Sequence, residues 1–264
     1  MGELVSVIMP SYNTGAFIAD SIRSVQAQTC PDWELIIVDD CSTDDTEEVV
    51  RPFLSDRRIR LFRNERNFGA AVSRNRALRE ARGRWIAFLD SDDLWAPEKL
   101  EKQTAFMESG GYAFSYTRYA EIDAEGNSTG VRVSGPRRIT RAGFFNYCWP
   151  GCLTVMYDRE AVGLVQTADI KKNNDYAVWL KVCRKADCHL LDEELALYRR
   201  GRAGSVSTHG VGSLIGWHYK LFREAEGQSA AAAAFNTARN VFFGAYKKLH
   251  YVRRERTSGG AHEQ

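Results

Sequence analysis

Apolar residues along the first third of the chain come in short unbroken runs, and each run stops in a polar cluster. Leu4 to Met9 is closed by Pro10-Ser11-Tyr12-Asn13, and Trp33 to Val38 ends in Asp39-Asp40. Ile59 to Phe62 is a shorter run, and Trp85 to Leu89 stops abruptly in Asp90-Ser91-Asp92-Asp93. Short bulky runs bounded by turn formers fit strands covered on both faces, as in a parallel sheet. Between them the period changes. Phe17, Ile18, Ile22 and Val25 recur at helical spacing up to Gln28, and Ser42-Thr43-Asp44-Asp45 opens a helix running to about Leu54, with acids in its first turn. Ala70 to Ala81 reads as a third helix, stopped by Gly83. Strand and helix alternate as in a doubly wound, mostly parallel α/β sheet. Ligands of such sheets lie beyond the carboxyl ends of the strands, where three of these four runs carry unusual polar groups.

The pattern changes after Pro97. A helix (Lys99 to Glu108) leads into an aromatic-rich strand, Tyr112 to Tyr119, and Asp123 to Asn127 forms a hairpin turn with a suitably placed Gly126. Val131 to Ile139 reads as extended and basic, Gly151 to Tyr157 as a further strand, Asp175 to Lys185 as a helix and Leu190 to Arg199 as extended. From about Leu214 the chain is helical and alanine-rich. The organisation expected is a Rossmann-like half (1–95), a mixed half of the same globule (96–210), C-terminal helices (211–257) and a disordered tail (258–264).

Composition narrows the classes. The 264 residues suffice for one large α/β domain, and 36 Lys plus Arg against 34 Asp plus Glu leave a net charge of +2, which is no nucleic-acid signature. No apolar run approaches the ~20 residues that span a bilayer. The N-terminus has neither the basic region nor the cleavage site of a signal peptide, and Gly2 with Ser6 does not amount to a myristoylation signal. Six cysteines show no C-x-x-C pair, and Cys148-x-x-x-Cys152 lacks a second pair at zinc spacing. Reduced thiols and a cytoplasmic chain are expected.

The acidic stretch 90–93 asks for chemistry. Three neighbouring carboxylates oppose folding unless something positive sits between them. Oxygen-only ligands suit Mg²⁺ or Mn²⁺, bound through one or two carboxylates plus substrate phosphate oxygens. The alternative is an acidic loop in which Ser91 or Asp93 caps the helix after Pro97.

VSVIMPSYN, IIVDDCSTDDT, NFGAAVSRNRAL and FLDSDD, in that order and spacing, resemble glycosyltransferase family 2, inverting enzymes of the glycosyltransferase A-type fold, and within it enzymes of bacterial surface-polysaccharide synthesis. The resemblance covers roughly residues 4 to 210. It implies a nucleotide-sugar donor, UDP-linked, a divalent metal and one catalytic carboxylate. On that basis Tyr12 stacks on the base beside the exposed Pro10-Ser11 backbone, or is a helix-capping aromatic. Asp40, with Asp39 beside it, accepts from the base N3–H, or the pair caps a helix. Gly69 and Arg74 lie near the diphosphate, Arg74 with Arg66 and Arg76 as rivals and a solvated basic face as the alternative. Asp90 bonds the ribose, Ser91 lies between the acids, and Asp92 is the metal ligand, with Asp90 weaker.

The resemblance places the base in Asn173-Asn174-Asp175-Tyr176-Ala177-Val178-Trp179, hence at Asp175, which can also be an N-cap. Asn174 departs from the Glu often found there, which weakens a donor-binding role for that neighbour. The arginine- and glycine-containing segment 198–209 would close over the diphosphate, with His209 a further metal-ligand candidate. Residues 239–256 read as a basic amphipathic helix, suited to an anionic membrane surface and a lipid-linked glycan acceptor at the inner face of the plasma membrane, or to packing on the domain or another subunit. Competing readings are a sugar nucleotidyltransferase, a receiver-type signalling module and a non-catalytic nucleotide-sugar-binding protein. The first would want a Gly-rich loop where Pro10-Ser11-Tyr12-Asn13 stands.

Overall fold

The computed structural model describes residues 3–168, 170, 172–201 and 211–255. The first part alternates as expected: β1 (Val5–Ser11), α1 (Gly15–Gln26), β2 (Trp33–Asp39), α2 (Thr46–Val50), β3 (Ile59–Arg63), α3 (Ala70–Glu80) and β4 (Trp85–Phe88). The short β5 (Leu94–Trp95) precedes α4 (Lys99–Gly110), β6 (Phe114–Ile122) and β7 (Ser128–Val133). Then come β8 (Arg138–Ile139), α5 (Arg141–Asn146), β9 (Met156–Asp158), α6 (Arg159–Val162), α7 (Asn174–Val182) and β10 (Cys188–Arg199). The C-terminal part holds α8 (Val211–Lys220), one π-helical turn (Leu221–Ala225), α9 (Ala230–His250) and β11 (Val252–Arg254).

β3, β2, β1 and β4 are parallel neighbours, and the sheet continues through antiparallel β9 into β6, β7 and β11, with β10 parallel to β6. Register explains why the polar clusters share one rim. Ser11 lies opposite Asp39, and the chain just beyond is stitched by Asp40 N to Ser11 O (2.8 Å), Asn64 N to Asp39 O (2.8 Å) and Leu89 N to Ile8 O (3.1 Å). The unbroken apolar runs follow from burial on both faces. Val5, Val7, Met9, Leu35, Ile37 and Ala87 pack with Ile18, Ile22 and Val25 of α1 and Leu100 and Met107 of α4. Ile8, Ile36, Val38, Ile86 and Phe88 turn the other way, onto Ala77 and Leu78 of α3 and Val178, Trp179 and Val182 of α7.

Several boundaries differ from expectation for identifiable reasons. The second helix stops at Val50, because Pro52 converts the continuation into a 3-10 turn over Arg51–Ser55. The strand expected over 151–157 is a 3-10 turn at Cys152–Thr154 followed by β9. Gly83 lies beyond the end of α3, and its role is close approach. A Cβ there would lie 2.4 Å from Leu4 O and 2.8 Å from Ser6 N, and Gly83 N donates to Ser6 Oγ (2.8 Å). Residues 239–256 are not one basic helix. α9 ends at His250, Arg253 and Arg254 belong to β11, and Lys247 turns inward to donate to Trp149 O (2.6 Å). The tail 258–264 and the segment 202–209, with His209, lie outside the described residues.

Candidate active site

The rim is built from the loops after β1 and β2, the start of α3, the turn after β4 and the start of α7. The Pro10-Ser11 backbone is not exposed as expected: both residues are buried in the pairing of β1 with β2, Ser11 O accepts from Asp40 N (2.8 Å), and Ser11 Oγ pairs with Thr14 Oγ1 (2.8 Å). Tyr12 is 43% exposed, so its ring is available for stacking. Asn13 adopts a left-handed φ of 50°. Its N–H donates to Ser42 Oγ (2.9 Å) and its Oδ1 accepts from Thr43 N (2.8 Å), tying the first loop to the second.

Asp39 and Asp40 are buried, and their carboxylates are largely committed inside the protein. Asp39 accepts from the Ser42 N–H (3.0 Å) and hydroxyl. Asp40 accepts from Asn64 Nδ2 (2.7 Å), Phe68 N (3.1 Å) and Gly69 N (2.6 Å), so it holds the turn that starts α3. A carboxylate has about four acceptor positions, which leaves Asp40 one for a ligand. Gly69, at φ 91°, is the N-cap of α3, a conformation that disfavours any side chain. Neither Asp39 nor Asp40 caps a helix: α2 is preceded by Asp45.

Arg74, one turn into α3, is 4% exposed, so it is not part of a solvated basic face. Its guanidinium donates to Asp90 Oδ1 (2.8 Å) and to Asn174 Oδ1. Arg74 thus joins the acidic turn to the start of α7, two regions 84 residues apart. Burial works against its charge, but the Asp90 and Asp175 carboxylates outweigh that and hold its pKa above the ordinary guanidinium value. Asn75 reinforces the junction: its Oδ1 accepts from Thr167 N (2.7 Å), and Thr167 Oγ1 donates to Asn174 O (2.6 Å).

The turn 90–93 closes through Asp93 N to Asp90 O (3.1 Å). Ser91 and Asp93 are buried, and neither caps α4, whose N-cap is Glu98. Asp93 Oδ1 accepts from Arg199 N (2.8 Å), while buried Oδ2 has no hydrogen-bond partner. Burial, then the charges of Asp92 and Asp90, push the Asp93 carboxyl well above its usual range. Arg199 also donates from Nε to Asp92 O (2.9 Å) and from Nη1 to Ala124 O (2.7 Å), locking the turn to the β6–β7 hairpin. Arg199, expected in the segment that closes over the diphosphate, is instead the buried last residue of β10 and is committed to this turn, a role that nothing in the sequence signalled.

Asp175 sits in the first turn of α7, where the helix dipole favours a carboxylate, and the N-cap is Asn173 at φ 57°. Burial raises the Asp175 pKa; the Arg74 charge opposes the rise but does not cancel it. An acid of this kind keeps proton affinity closer to neutrality than an exposed carboxylate and is suited to take a proton from a hydroxyl. Among the described residues no three His, Cys, Asp or Glu side chains form a ready metal cage. A hard cation that takes one or two carboxylates and completes its shell with phosphate oxygens needs no cage. The oxygen-only set at 90–93, with a partnerless Asp93 oxygen, fits such an ion.

The model of glycosyl transferase family 2 matches residues 6–161. A Bacillus subtilis (strain 168) protein named for teichuronic acid biosynthesis, TuaG, is 44% identical over 198 residues, covering 74% of this chain and 79% of its own length. The Escherichia coli UDP-Glc:alpha-D-GlcNAc-diphosphoundecaprenol beta-1,3-glucosyltransferase WfgD is 44% identical over 181 residues (69% of this chain, 70% of that protein), and WfaP, of the same named activity, is 40% identical over 217 (81% and 83%). Among solved structures, S. aureus TarS 1-349 in complex with UDP-GlcNAc superposes with a TM-score of 0.71 at 19% identity, covering 94% of this chain and 74% of TarS 1-349. The Pyrobaculum calidifontis mannosyltransferase PcManGT, in complex with GDP-Man and Mn2+, gives 0.62 at 18% identity, covering 92% and 75%. These superpositions show the fold, an α/β glycosyltransferase sheet with C-terminal helices.

Proposed function

Because the chain belongs to glycosyl transferase family 2 and is a glycosyltransferase, we propose that it moves a sugar from a UDP-sugar to a hydroxyl of a lipid-linked glycan, with inversion, in bacterial polysaccharide synthesis. The observation that carries this reading is the Arg74 bridge, which fastens Asp90, on the donor rim, to the helix start that carries Asp175. A donor bound against the strand ends and a base on α7 are thereby held in one frame. Support for the donor comes from the names of WfgD, WfaP and the TarS complex, and support for the acceptor from the diphosphoundecaprenol substrates in the first two names.

In the proposed reaction Tyr12 stacks on the uracil, Pro10 and Ser11 anchor the loop that carries it, and Asp40 uses its remaining acceptor position for the base N–H. Asp39 and Gly69 act by fixing loops, and Asp90 faces the ribose, with Ser91 in the same turn. Asp175 removes the proton from the acceptor hydroxyl as its oxygen forms the new bond to the anomeric carbon. The bond to the diphosphate breaks in the same displacement, and its electron pair leaves with the nucleoside diphosphate. Mn²⁺ or Mg²⁺, held by Asp92 with Asp90 as the weaker ligand, would offset charge on that leaving group. Residues 1–95 serve the donor and 96–210 the acceptor and base, while the helical appendage expected over 211–257 is helical to His250 and then returns to the sheet as β11. No helix among the described residues is long and apolar enough to cross a membrane. In this reading the lipid-linked acceptor is met at the inner face of the plasma membrane. A nucleotidyltransferase reading finds no Gly-rich phosphate loop after β1, where Pro10-Ser11-Tyr12-Asn13 stands.

Calorimetric titration with UDP, with and without Mn²⁺, tests the donor site. Wild type is expected to bind with metal dependence that Asp92→Ala abolishes, and Asp175→Asn to bind UDP normally while losing transfer by at least about 10²-fold. Equal UDP binding in wild type and Asp92→Ala would remove the metal assignment, and transfer surviving in Asp175→Asn would remove the base.

A further inference from the structure

α9 carries an apolar stripe that the described protein does not cover. Its inner face, Ala233, Asn236, Thr237 and Asn240, is buried. The opposite face exposes Phe235 (63%), Phe242 (66%) and Leu249 (80%), with Val241 and Tyr246 beside them. Ala231, Ala238 and Ala245, also exposed, fall between these three. Ala231, Phe235, Ala238, Phe242, Ala245 and Leu249 are spaced four, three, four, three and four apart, the heptad period of a helix that packs against another helix. The cations expected to border a lipid-binding face are mostly elsewhere. Lys247 bonds Trp149 O, Arg239 is held by Asn146 and Asn236 and lies over the Phe235 ring (5.5 Å to its centroid), and Arg253 and Arg254 lie on β11, which leaves Lys248 as the fully exposed cation of the helix.

We propose that this stripe pairs, antiparallel, with the same stripe of a second copy of the chain, about a two-fold axis at the level of Asn240, the midpoint of α9. A two-fold contact must be self-complementary, and this one is, position by position. The axis sets Phe242 against the partner copy's Ala238, Phe235 against its Ala245, Leu249 against its Ala231 and Tyr246 against its Ala234. Phe235, Phe242, Tyr246 and Leu249 each meet an alanine, and Val241 falls opposite Arg239. A parallel pair would instead set each residue against itself, Phe on Phe and Lys248 on Lys248. The five large exposed side chains and the intervening alanines offer on the order of 700 Å² per copy, close to the ~800 Å² per partner of a standard interface. A bilayer has no use for the alternation of large and small residues, whereas a facing helix does. The inference is independent of the donor and acceptor assigned above.

Light scattering on the size-separated, purified full chain at tens of micromolar tests it. Wild type is expected at twice the 29.8 kDa chain mass with a Tm that rises with concentration, and Phe242→Glu as a monomer with unchanged circular dichroism and a Tm independent of concentration. Ala238→Phe and Phe242→Ala should each weaken association by about tenfold or more, through overpacking and a gap respectively. The double exchange, Ala238→Phe with Phe242→Ala, should restore the dimer, because it only swaps which copy supplies the large residue. A monomeric wild type overturns the proposal, as does a dimer indifferent to Phe242→Glu or a double exchange no better than the single variants. A monomer that sediments with phosphatidylglycerol vesicles, and loses this with Phe242→Glu, assigns the face to lipid instead.

Discussion

Replacing Arg74 with Met should unfasten the two halves of the site, with a cost that can be worked from its partners. The guanidinium is 4% exposed and donates to Asp90 Oδ1 and Asn174 Oδ1. Removing one partner of a buried ion pair costs ~3–5 kcal/mol, but the Asp90 side chain is 35% exposed and water recovers part of that. The Asn174 oxygen, left without its donor, adds ~1 kcal/mol. The expected loss is about 2–4 kcal/mol in urea titration. Arg74→Lys keeps the charge but reaches one acceptor at a time, so about 1–2 kcal/mol is expected. The kinetic consequence has a definite sign. Arg74 is the main influence holding the Asp175 pKa down against burial. As the proposed base, Asp175 works only when deprotonated, so activity should fall as pH falls through that pKa. In Arg74→Met the acid limb of kcat/KM should therefore move to higher pH, and in Arg74→Lys it should stay near the wild-type position. A Met variant within ~0.5 kcal/mol of wild type, the scatter of ordinary surface substitutions, with an unmoved acid limb would refute the bridge.

Two further perturbations follow from buried groups. Lys99 is fully buried, donates to Gln103 Oε1 (2.7 Å), lies over the Trp95 ring, and has its pKa lowered by burial to about 7. Between pH 7 and the ordinary lysine range the unfolded chain binds a proton that the folded chain does not, so stability should rise with pH across that window, by at most ~1.4 kcal/mol per pH unit. Lys99→Met should lose that slope and gain about 1–3 kcal/mol at pH 7, as read from urea midpoints at pH 7 and pH 9. Gly83→Ala should cost about 2–3 kcal/mol, because its Cβ would meet the Leu4 carbonyl oxygen at 2.4 Å; a Tm equal to wild type would contradict this.

The parallel strands and their polar ends were legible because two-sided burial writes itself as unbroken apolar runs, and because strand ends are local in sequence. What those ends bond to was not. Asp39-Asp40 reads as an acid pair aimed at a ligand, yet Asp40 finds Asn64, Phe68 and Gly69, 24 to 29 residues away. Arg74 reads as one arginine among three in its neighbourhood; only the packing of α3 beside α7 selects it. Arg199 reads as part of a loop meant for a diphosphate, yet it holds Asp93 from 106 residues downstream. The C-terminal helix misled in a different way. Its basic residues form an amphipathic pattern only if the helix continues past His250, and the chain turns there into β11 instead.

Strain marks the same rim independently of any motif. Among the described residues the positive-φ positions that are not glycine are Asn13, Cys41 and Asn173. They lie in the loop after β1, in the loop after β2 and immediately before α7. A left-handed conformation costs an ordinary residue ~1–2 kcal/mol, somewhat less for Asn. Such conformations persist only where the surroundings over-determine them, and here the determinants are visible. Asn13 is held from both its N–H and its side chain by Ser42 and Thr43. Cys41 lies between Asp40, fixed by the α3 turn, and Ser42, fixed by Asp39. Asn173 precedes Asn174, which Arg74 and Thr167 hold from opposite ends of the residue. The buried carboxylates and Arg74 therefore do more than face a ligand. They keep three loops in conformations these loops would not adopt alone, so Tyr12, Asp90 and Asp175, the residues proposed to meet the substrates, are positioned before any donor arrives. The entropy of ordering them is then spent in folding, leaving binding energy for the transition state.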